Sequence, residues 1–235
     1  MPEDDKRKEI IYALFLLFMQ KLIAVIPSYS GEKTLEEVVR KTSKYVDEVI
    51  VVDDTKTKKV GKIGEKLGAI VLYNNENKGV GYSRRRGIKE GLKRGADIII
   101  TLDDDLQHKP EDIPNFVRKI NQGYDVVIGE RNLEKYPFVK KFGNFWLTLL
   151  TNLICKTNIK DTESGYKAFS REAAKKLNLK ANRYEIEGEI VYEIGRNKLK
   201  YANIRIDSPL YRKGVTITQG IRNFIYLLKR KISDL

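Results

Sequence analysis

From Leu22 onward the chain alternates short, almost wholly apolar runs with amphipathic stretches, and that alternation leaves few folds open. LIAVI (22–26), EVIVV (48–52), AIVLY (69–73) and DIIITL (97–102) read as strands. Helical stretches are predicted between them at about 34–45, 58–67 and 80–94. Runs this apolar belong to strands buried on both faces, so the pattern predicts a mostly parallel sheet covered by helices. Strand–helix alternation of this kind defines an α/β layered fold. After Gly129 the rhythm changes. Phe138–Ile154 predicts a long apolar-aromatic helix, Asp161–Ser170 reads as a loop, and a helix at about 185–195 precedes a strand at about 199–206.

In a parallel sheet, ligands bind beyond the carboxyl ends of the strands, and two acidic groups lie there. LDDDLQHKPED follows DIIITL. Three adjacent aspartates repel one another unless a cation neutralises them. Asp103 and Asp105 point the same way on an extended segment, and Gln107 continues the alternation with a neutral oxygen. The only histidine is His108 and the only cysteine Cys155. A zinc site built from Cys and His is thereby excluded, and so is an intramolecular disulfide. Oxygen ligands point to Mg²⁺ or Mn²⁺, ions that keep few protein ligands and take the rest from phosphate and water. The second pair, Asp53-Asp54, ends EVIVV, where a carboxylate takes ribose hydroxyls or a base edge or, more plainly, caps a turn. Tyr29, after Pro27-Ser28, is placed to stack on a base.

A formal net charge of +13 requires an anionic partner without choosing among nucleotide, phospholipid, membrane and nucleic acid. The motifs choose. VIPSY, VIVVDD, NKGVGYSRRRGI, LDDDLQHKPED, VIGERN and DTESGYKAFS occur in that order. Together they resemble the family 2 glycosyltransferases of the GT-A (Rossmann-like) fold, most closely the dolichyl- and polyprenyl-phosphate mannosyl- and glucosyltransferases. The resemblance covers about residues 22–214. It implies an inverting transfer of mannose or glucose from a GDP- or UDP-linked donor to a polyprenyl (dolichyl) phosphate, with Mg²⁺ or Mn²⁺ as cofactor. A sugar hydroxyl acceptor in glycan synthesis is the alternative.

The same resemblance implies residue roles. Pro27, Tyr29, Asp53 and Asp54 would contact the nucleoside, with Lys78, Asp103 and Asp104 completing the nucleotide site. Asp103, Asp105 and Gln107 would hold the metal and diphosphate, and Arg131 would face the sugar phosphate or the acceptor phosphate. Asp161, Ser164 and Gly165 would shape the acceptor loop, Glu187 and Glu189 would lie near the sugar, and Arg212 would sit in a mobile loop by the diphosphate. A hydroxyl acceptor would need a general base, for which Asp161 or Glu189 is the candidate. The sequence departs from the family pattern at Ser30-Gly31, Thr55-Lys56 and Thr216-Ile217, which affects nucleotide and acceptor contacts.

The expected organisation is an apolar N-terminal extension (1–18), a catalytic domain (19–214) and a C-terminal basic amphipathic helix (215–235). Ile10–Met19 is roughly half the ~20 residues a spanning helix needs. In the C-terminal helix Ile221, Phe224, Ile225, Leu228 and Ile232 share one face beside Lys229–Lys231. That face either packs on the core or lies at a membrane interface. The expectation is a cytoplasmic enzyme, peripheral on the cytoplasmic face of a membrane. A nucleotidyltransferase would need a glycine-rich loop after the first strand, which PSYSGEKT lacks. A nucleic-acid-binding protein is motivated only by the net charge and Arg84-Arg85-Arg86, so no nucleic acid is expected.

Overall fold

A computed structural model describes residues 20–134, 136–207 and 217–234. The N-terminal apolar run and Arg212 lie outside them. Seven strands form one sheet: β1 (Leu22–Ser28), β2 (Glu48–Asp53), β3 (Ile70–Tyr73), β4 (Ile98–Thr101), β5 (Val126–Arg131), β6 (Lys167–Ser170) and β7 (Tyr201–Ile206). Their spatial order is β3-β2-β1-β4-β6-β5-β7. β1 to β4 pair in parallel, β6 runs antiparallel to both β4 and β5, and β5 is parallel to β7. The described helices are α1 (Leu35–Thr42), α2 (Lys59–Lys66), α3 (Val80–Lys93), α4 (Ile113–Asn121), α5 (Phe138–Cys155), α6 (Arg171–Lys176), α7 (Ile186–Arg196) and α8 (Ile217–Ser233).

The uninterrupted apolar runs are explained by two cores, one on each sheet face. Ile23, Val25, Ile50, Val52 and Ile99 pack on one side with Ile88 of α3 and Ile190 of α7. Ala24, Ile26, Val49, Val51, Ile98 and Ile100 pack on the other with Val38 of α1 and Phe116 of α4. Side chains alternate across a strand, so a strand buried on both faces must be apolar at every position. Gly87 lets α3 lie close on β1, since a Cβ there would stand 2.2 Å from Val25 Cγ1.

Asp161–Ser170 is not all loop. Its last four residues, Lys-Ala-Phe-Ser, form β6 between β4 and β5. A four-residue strand that begins with a buried lysine carries no hydrophobic run to announce it. Its direction matters for the site. The carboxyl ends of β1, β2, β4 and β5 share an edge with the start of β6, where Thr101 pairs Lys167.

α5 and α8 are built inside out. Phe138, Phe142, Phe145, Trp146, Leu149 and Leu153 of α5 are exposed, and among its described side chains only Thr151 and Cys155 are buried. In α8 the seat is made by Asn223, Leu227 and Arg230, which leaves Ile221, Ile225, Leu228 and Ile232 exposed. Four of the five residues of the expected stripe thus face outward, and Phe224 is half-buried. α8 rests on α5 and α7. No helix among the described residues is long and apolar enough to cross a membrane.

Glu189 fixes this seat. Its carboxylate accepts from the Lys180 and Ala181 amides (2.8 Å each), from Tyr226 Oη (2.8 Å) and from Arg230 Nε (3.3 Å). Both ionic partners are buried. The sequence-based role for Glu189 as a general base at the sugar is corrected here, because every bond it makes is structural and it is absent from the cleft lining. Glu189→Ala takes one carboxylate from Arg230, which keeps Glu193 and Asp234, and leaves the Lys180 and Ala181 amides and the Tyr226 hydroxyl without their acceptor. A loss of about 3–5 kcal/mol in urea unfolding is expected, and a loss below about 1 kcal/mol would contradict this anchoring role.

Candidate functional site

The shared strand edge opens into a cleft of about 300 Å³. At one end lie Pro27 and the exposed ring of Tyr29, just past β1. Beside them Asp54 accepts from the Lys78 and Gly79 amides (2.8 Å each) and from Asn74 Nδ2 (2.7 Å). It thus ties the end of β2 to the start of α3 while still lining the cleft. Asp53 and Lys78 do not reach the cleft. The Asp53 carboxylate is consumed by Thr55 N (2.7 Å), Thr55 Oγ1 (2.6 Å) and Gly61 N (2.7 Å), which fix the approach to α2. The Lys78 ammonium pairs with Glu76 on the surface. In this geometry the nucleoside contacts expected of Asp53 and Lys78 are replaced by local turn bonds.

The three aspartates after β4 face three environments. Asp103 takes Arg84 Nη2 at 2.8 Å. Burial opposes its charge but is outweighed by the Arg84 and Arg131 guanidinium groups, so it stays below the usual carboxylate range. Its own amide donates to His108 Nδ1 (3.0 Å), which leaves that nitrogen unprotonated. Burial keeps His108 neutral, stacked on Tyr166 at 5.0 Å. Asp104 accepts from Ser28 Oγ. Burial pushes it up to about 6, and repulsion from Asp103 and Asp105 adds to the rise. Asp105 is gripped by Gln107 through its amide N–H (3.1 Å) and its side-chain nitrogen. Leu106 between them has φ 67°, a left-handed conformation that costs a branched residue energy and is typical of functional turns.

Among the described residues, no three His, Cys, Asp or Glu side chains gather into a metal cage. The donor set nonetheless fits a hard divalent ion. Asp103 and Asp105 both line the cleft, and their repulsion adds to the rise that burial causes at Asp104 between them. An ion that keeps one or two carboxylates and fills its shell with phosphate and water suits such a site. The Gln107 oxygen accepts from Tyr136 Oη (3.3 Å), so this side chain orients Asp105 instead of offering an open ligand.

Beneath the cleft lies a charge network that the sequence reading missed. Arg84, only 1% exposed, bridges Asp103 and Glu187, and the fully buried Lys167 ammonium sits between Glu187 and the Ser164 carbonyl. Burial, reinforced by Arg84, lowers Lys167 to about 7. Gly165 permits this closeness, since a Cβ there would stand 2.8 Å from an Asp103 oxygen. Arg85 bonds to the Ala181 carbonyl (3.0 Å) and Arg86 to that of Tyr73 (2.7 Å). The arginine triplet is thus spent inside the fold, and the nucleic-acid reading loses its motif.

Arg131, at the end of β5, forms a two-pronged pair with Asp161 (2.6 and 2.9 Å). Asp161 is buried, and although burial opposes its charge, this pairing holds it below the ordinary carboxylate range. It is a partner for Arg131, not an available base, and it does not line the cleft. The carboxyl that does is Glu163, two residues later. Burial pushes Glu163 up to about 7 against the opposing pull of Arg131. Its only sequence signal was an acid inside DTESGYKAFS. On the far side of the Arg131–Asp161 pair is a second cavity, about 340 Å³, with Lys141, Lys160 and Arg205 on its walls beside Glu130 and Glu134.

A raised carboxyl has a defined linkage sign. Glu163 contributes stability that is fully present below its unfolded value of 4.5 and is lost as pH rises through about 7. Glu163→Gln removes that dependence. The variant should gain on wild type by on the order of 3 kcal/mol between pH 4 and pH 8, read from paired denaturant titrations. A pH-independent difference would refute the shift.

The family model of Glycosyl transferase family 2 matches residues 23–177. An uncharacterised protein of Methanocaldococcus jannaschii is 34% identical over 90% of this chain and 93% of its own. The UDP-N-acetylglucosamine–dolichyl-phosphate N-acetylglucosaminyltransferase of Methanococcus voltae is 31% identical over 88% of this chain and 95% of its own. Among solved structures, glucosyl-3-phosphoglycerate synthase of Mycobacterium tuberculosis, crystallised with Mn²⁺ and UDP-glucose, superposes with a TM-score of 0.74 at 21% identity. That match covers 94% of this chain and 82% of the synthase. The sheet is thus that of a GT-A fold, and the chain belongs to glycosyl transferase family 2.

Proposed function

We propose that the enzyme moves a sugar from a UDP- or GDP-linked donor to a polyprenyl (dolichyl) phosphate at a membrane surface, with Mg²⁺ or Mn²⁺. The observation that carries this reading is the position of the Arg131 cavity. It lies beside the start of α5, where a cationic wall meets an exposed apolar helix. A phosphate on a lipid chain needs that pairing of chemistries. The relative that acts on dolichyl phosphate supports the same acceptor class.

On this reading Tyr29, Pro27 and Asp54 form the nucleoside end of the cleft, and Asp103 and Asp105 hold the metal near the diphosphate. When bound, the ion offsets the negative charge that develops on the departing diphosphate. Arg84 keeps Asp103 ionised and in place. Arg131, fixed by Asp161, offers its remaining guanidinium edge to the acceptor phosphate. A phosphate acceptor is already ionised at neutral pH, which agrees with Asp161 being tied up in an ion pair. The rival, a hydroxyl acceptor, draws support from Glu163, whose near-neutral carboxyl would be the base.

The exposed faces of α5 and α8 support a peripheral seat, which we place on the cytoplasmic face, in line with a single buried cysteine. Phe142, Phe145 and Trp146 form edge contacts at 5.7–6.1 Å on that face, and aromatic rings of this kind suit the headgroup boundary. Deleting α8 would also remove Leu227 and Arg230 from the core, so point substitutions are the sound test. Leu153→Glu with Ile221→Glu should weaken binding to anionic phospholipid vesicles at least about tenfold while unfolding stability moves within about 0.5 kcal/mol. Unchanged vesicle binding would count against the seat.

The donor site is tested by thermal shift with UDP- and GDP-sugars, with and without Mn²⁺. A metal-dependent rise is expected for one nucleotide series and should vanish in Asp105→Ala. A rise that survives this substitution would remove the aspartates from the metal role.

A further inference from the structure

Glu163 sits in the cleft with an unmet hydrogen-bonding capacity. The residue is 9% exposed. Its Oε1 is buried without a hydrogen-bond partner among the described residues, while Oε2 accepts from Asn223 Nδ2 at 3.3 Å. The same Asn223 nitrogen lies 3.4 Å from the Tyr184 carbonyl, and Tyr184 also lines the cleft. One oxygen is thus clamped from α8, and the other is buried without a partner in the wall of a cleft that Glu187 and Arg131 also line. Buried polar atoms nearly always find partners, and those that do not mark places where a ligand completes the bond. The cleft is polar, and its other end is the one proposed above for nucleotide and metal.

We propose that Glu163 receives a hydroxyl group of the transferred sugar and that Asn223 of α8 holds the carboxyl in the receiving orientation, which makes this pair a determinant of donor-sugar specificity. The inference rests on the donor reading above and deepens it. A hydroxyl is the group that fits. It is small, neutral and abundant on a hexose, and it can donate to the open oxygen. A phosphate would bring further negative charge to a cleft already lined by Asp103, Asp104, Asp105 and Glu187. A site built around such a bond discriminates strongly against a sugar that cannot make it, because the carboxyl then stays buried and unpaired. The C-terminal helix, whose outer face is apolar, becomes through Asn223 part of the sugar pocket.

The test is calorimetric titration of the full chain in Mn²⁺ with UDP, GDP, UDP-glucose, UDP-N-acetylglucosamine and GDP-mannose, with melting curves as the folding control. For the sugar nucleotide that wild type binds tightest, Glu163→Ala should weaken binding about tenfold or more, with the bare nucleotide unchanged within about twofold. Asn223→Ala should show the same pattern at about threefold, since the carboxyl remains but is loosened. Glu163→Gln keeps an acceptor oxygen and should recover part of the loss. Its folding is secure, because it removes a buried carboxyl that the free enzyme leaves half satisfied. Equal losses for nucleotide and sugar nucleotide, or no loss for either, overturn the assignment. So does a Glu163→Gln enzyme with intact sugar-nucleotide affinity and abolished transfer, which would make the carboxyl a base toward the acceptor. Failure of wild type to bind any nucleotide would instead sink the donor reading itself, and this proposal with it.

Discussion

The cleft depends on a guanidinium that has no contact with water. Arg84 reaches from α3 to the end of β4 and to α7, and nothing but carboxylates makes its burial tolerable. Charges this deep are stable only when fully paired. The requirement propagates. Glu187 must face the cleft floor to serve Arg84, Lys167 must enter the sheet as the first residue of β6 to serve Glu187, and Gly165 must lack a side chain to let the loop close over Asp103. Four elements that are distant in sequence are thereby fixed around one point. That point is where a diphosphate and its metal would need rigid carboxylates.

α7 shows how a single helix divides such labour. Its three glutamates look alike in RYEIEGEIVYEI, yet each meets a different demand. Glu187 holds the cleft floor, Glu189 locks α8, and Glu193 accepts from the Asn178 amide at 3.2 Å while pairing with Arg230. Arg230 therefore spans two of them, and buried ion pairs join Leu227 in attaching α8. That explains how its hydrophobic stripe can face outward. A helix anchored by ion pairs does not need its greasy face for packing.

The parallel half of the sheet was legible because burial on both faces forces unbroken apolar runs, and the acidic site because ligands gather at strand ends. What could not be read was which carboxylate does what. Asp161 and Glu189 resemble catalytic acids in the sequence, but their partners, Arg131 and Arg230, lie 30 and 41 residues away. Glu163 looks incidental until the fold buries it in the cleft. Asp53 and Lys78 illustrate the same limit from the other side, since bonds made within a turn satisfy them before any ligand can. β6 escaped notice because its inward lysine is tolerated through the Ser164 carbonyl and Glu187, which lies on another element.

The two cavities divide the charge in a way that bears on the acceptor. Carboxylates crowd the donor cleft, whereas Arg131, Lys141, Lys160 and Arg205 outnumber the acids on the walls of the second cavity, and the Arg131–Asp161 pair stands between them. An anionic acceptor approaching from the carboxylate side would be repelled. One arriving from α5 meets positive charge first and an apolar helix beneath it. Arg131 is the residue that both sides share, and Asp161 keeps it from collapsing onto the aspartates of the donor site. If the two substrates meet, they meet across that guanidinium. An attacking group that is already charged would suit that meeting point, because Asp161, the carboxylate beside Arg131, is held in an ion pair.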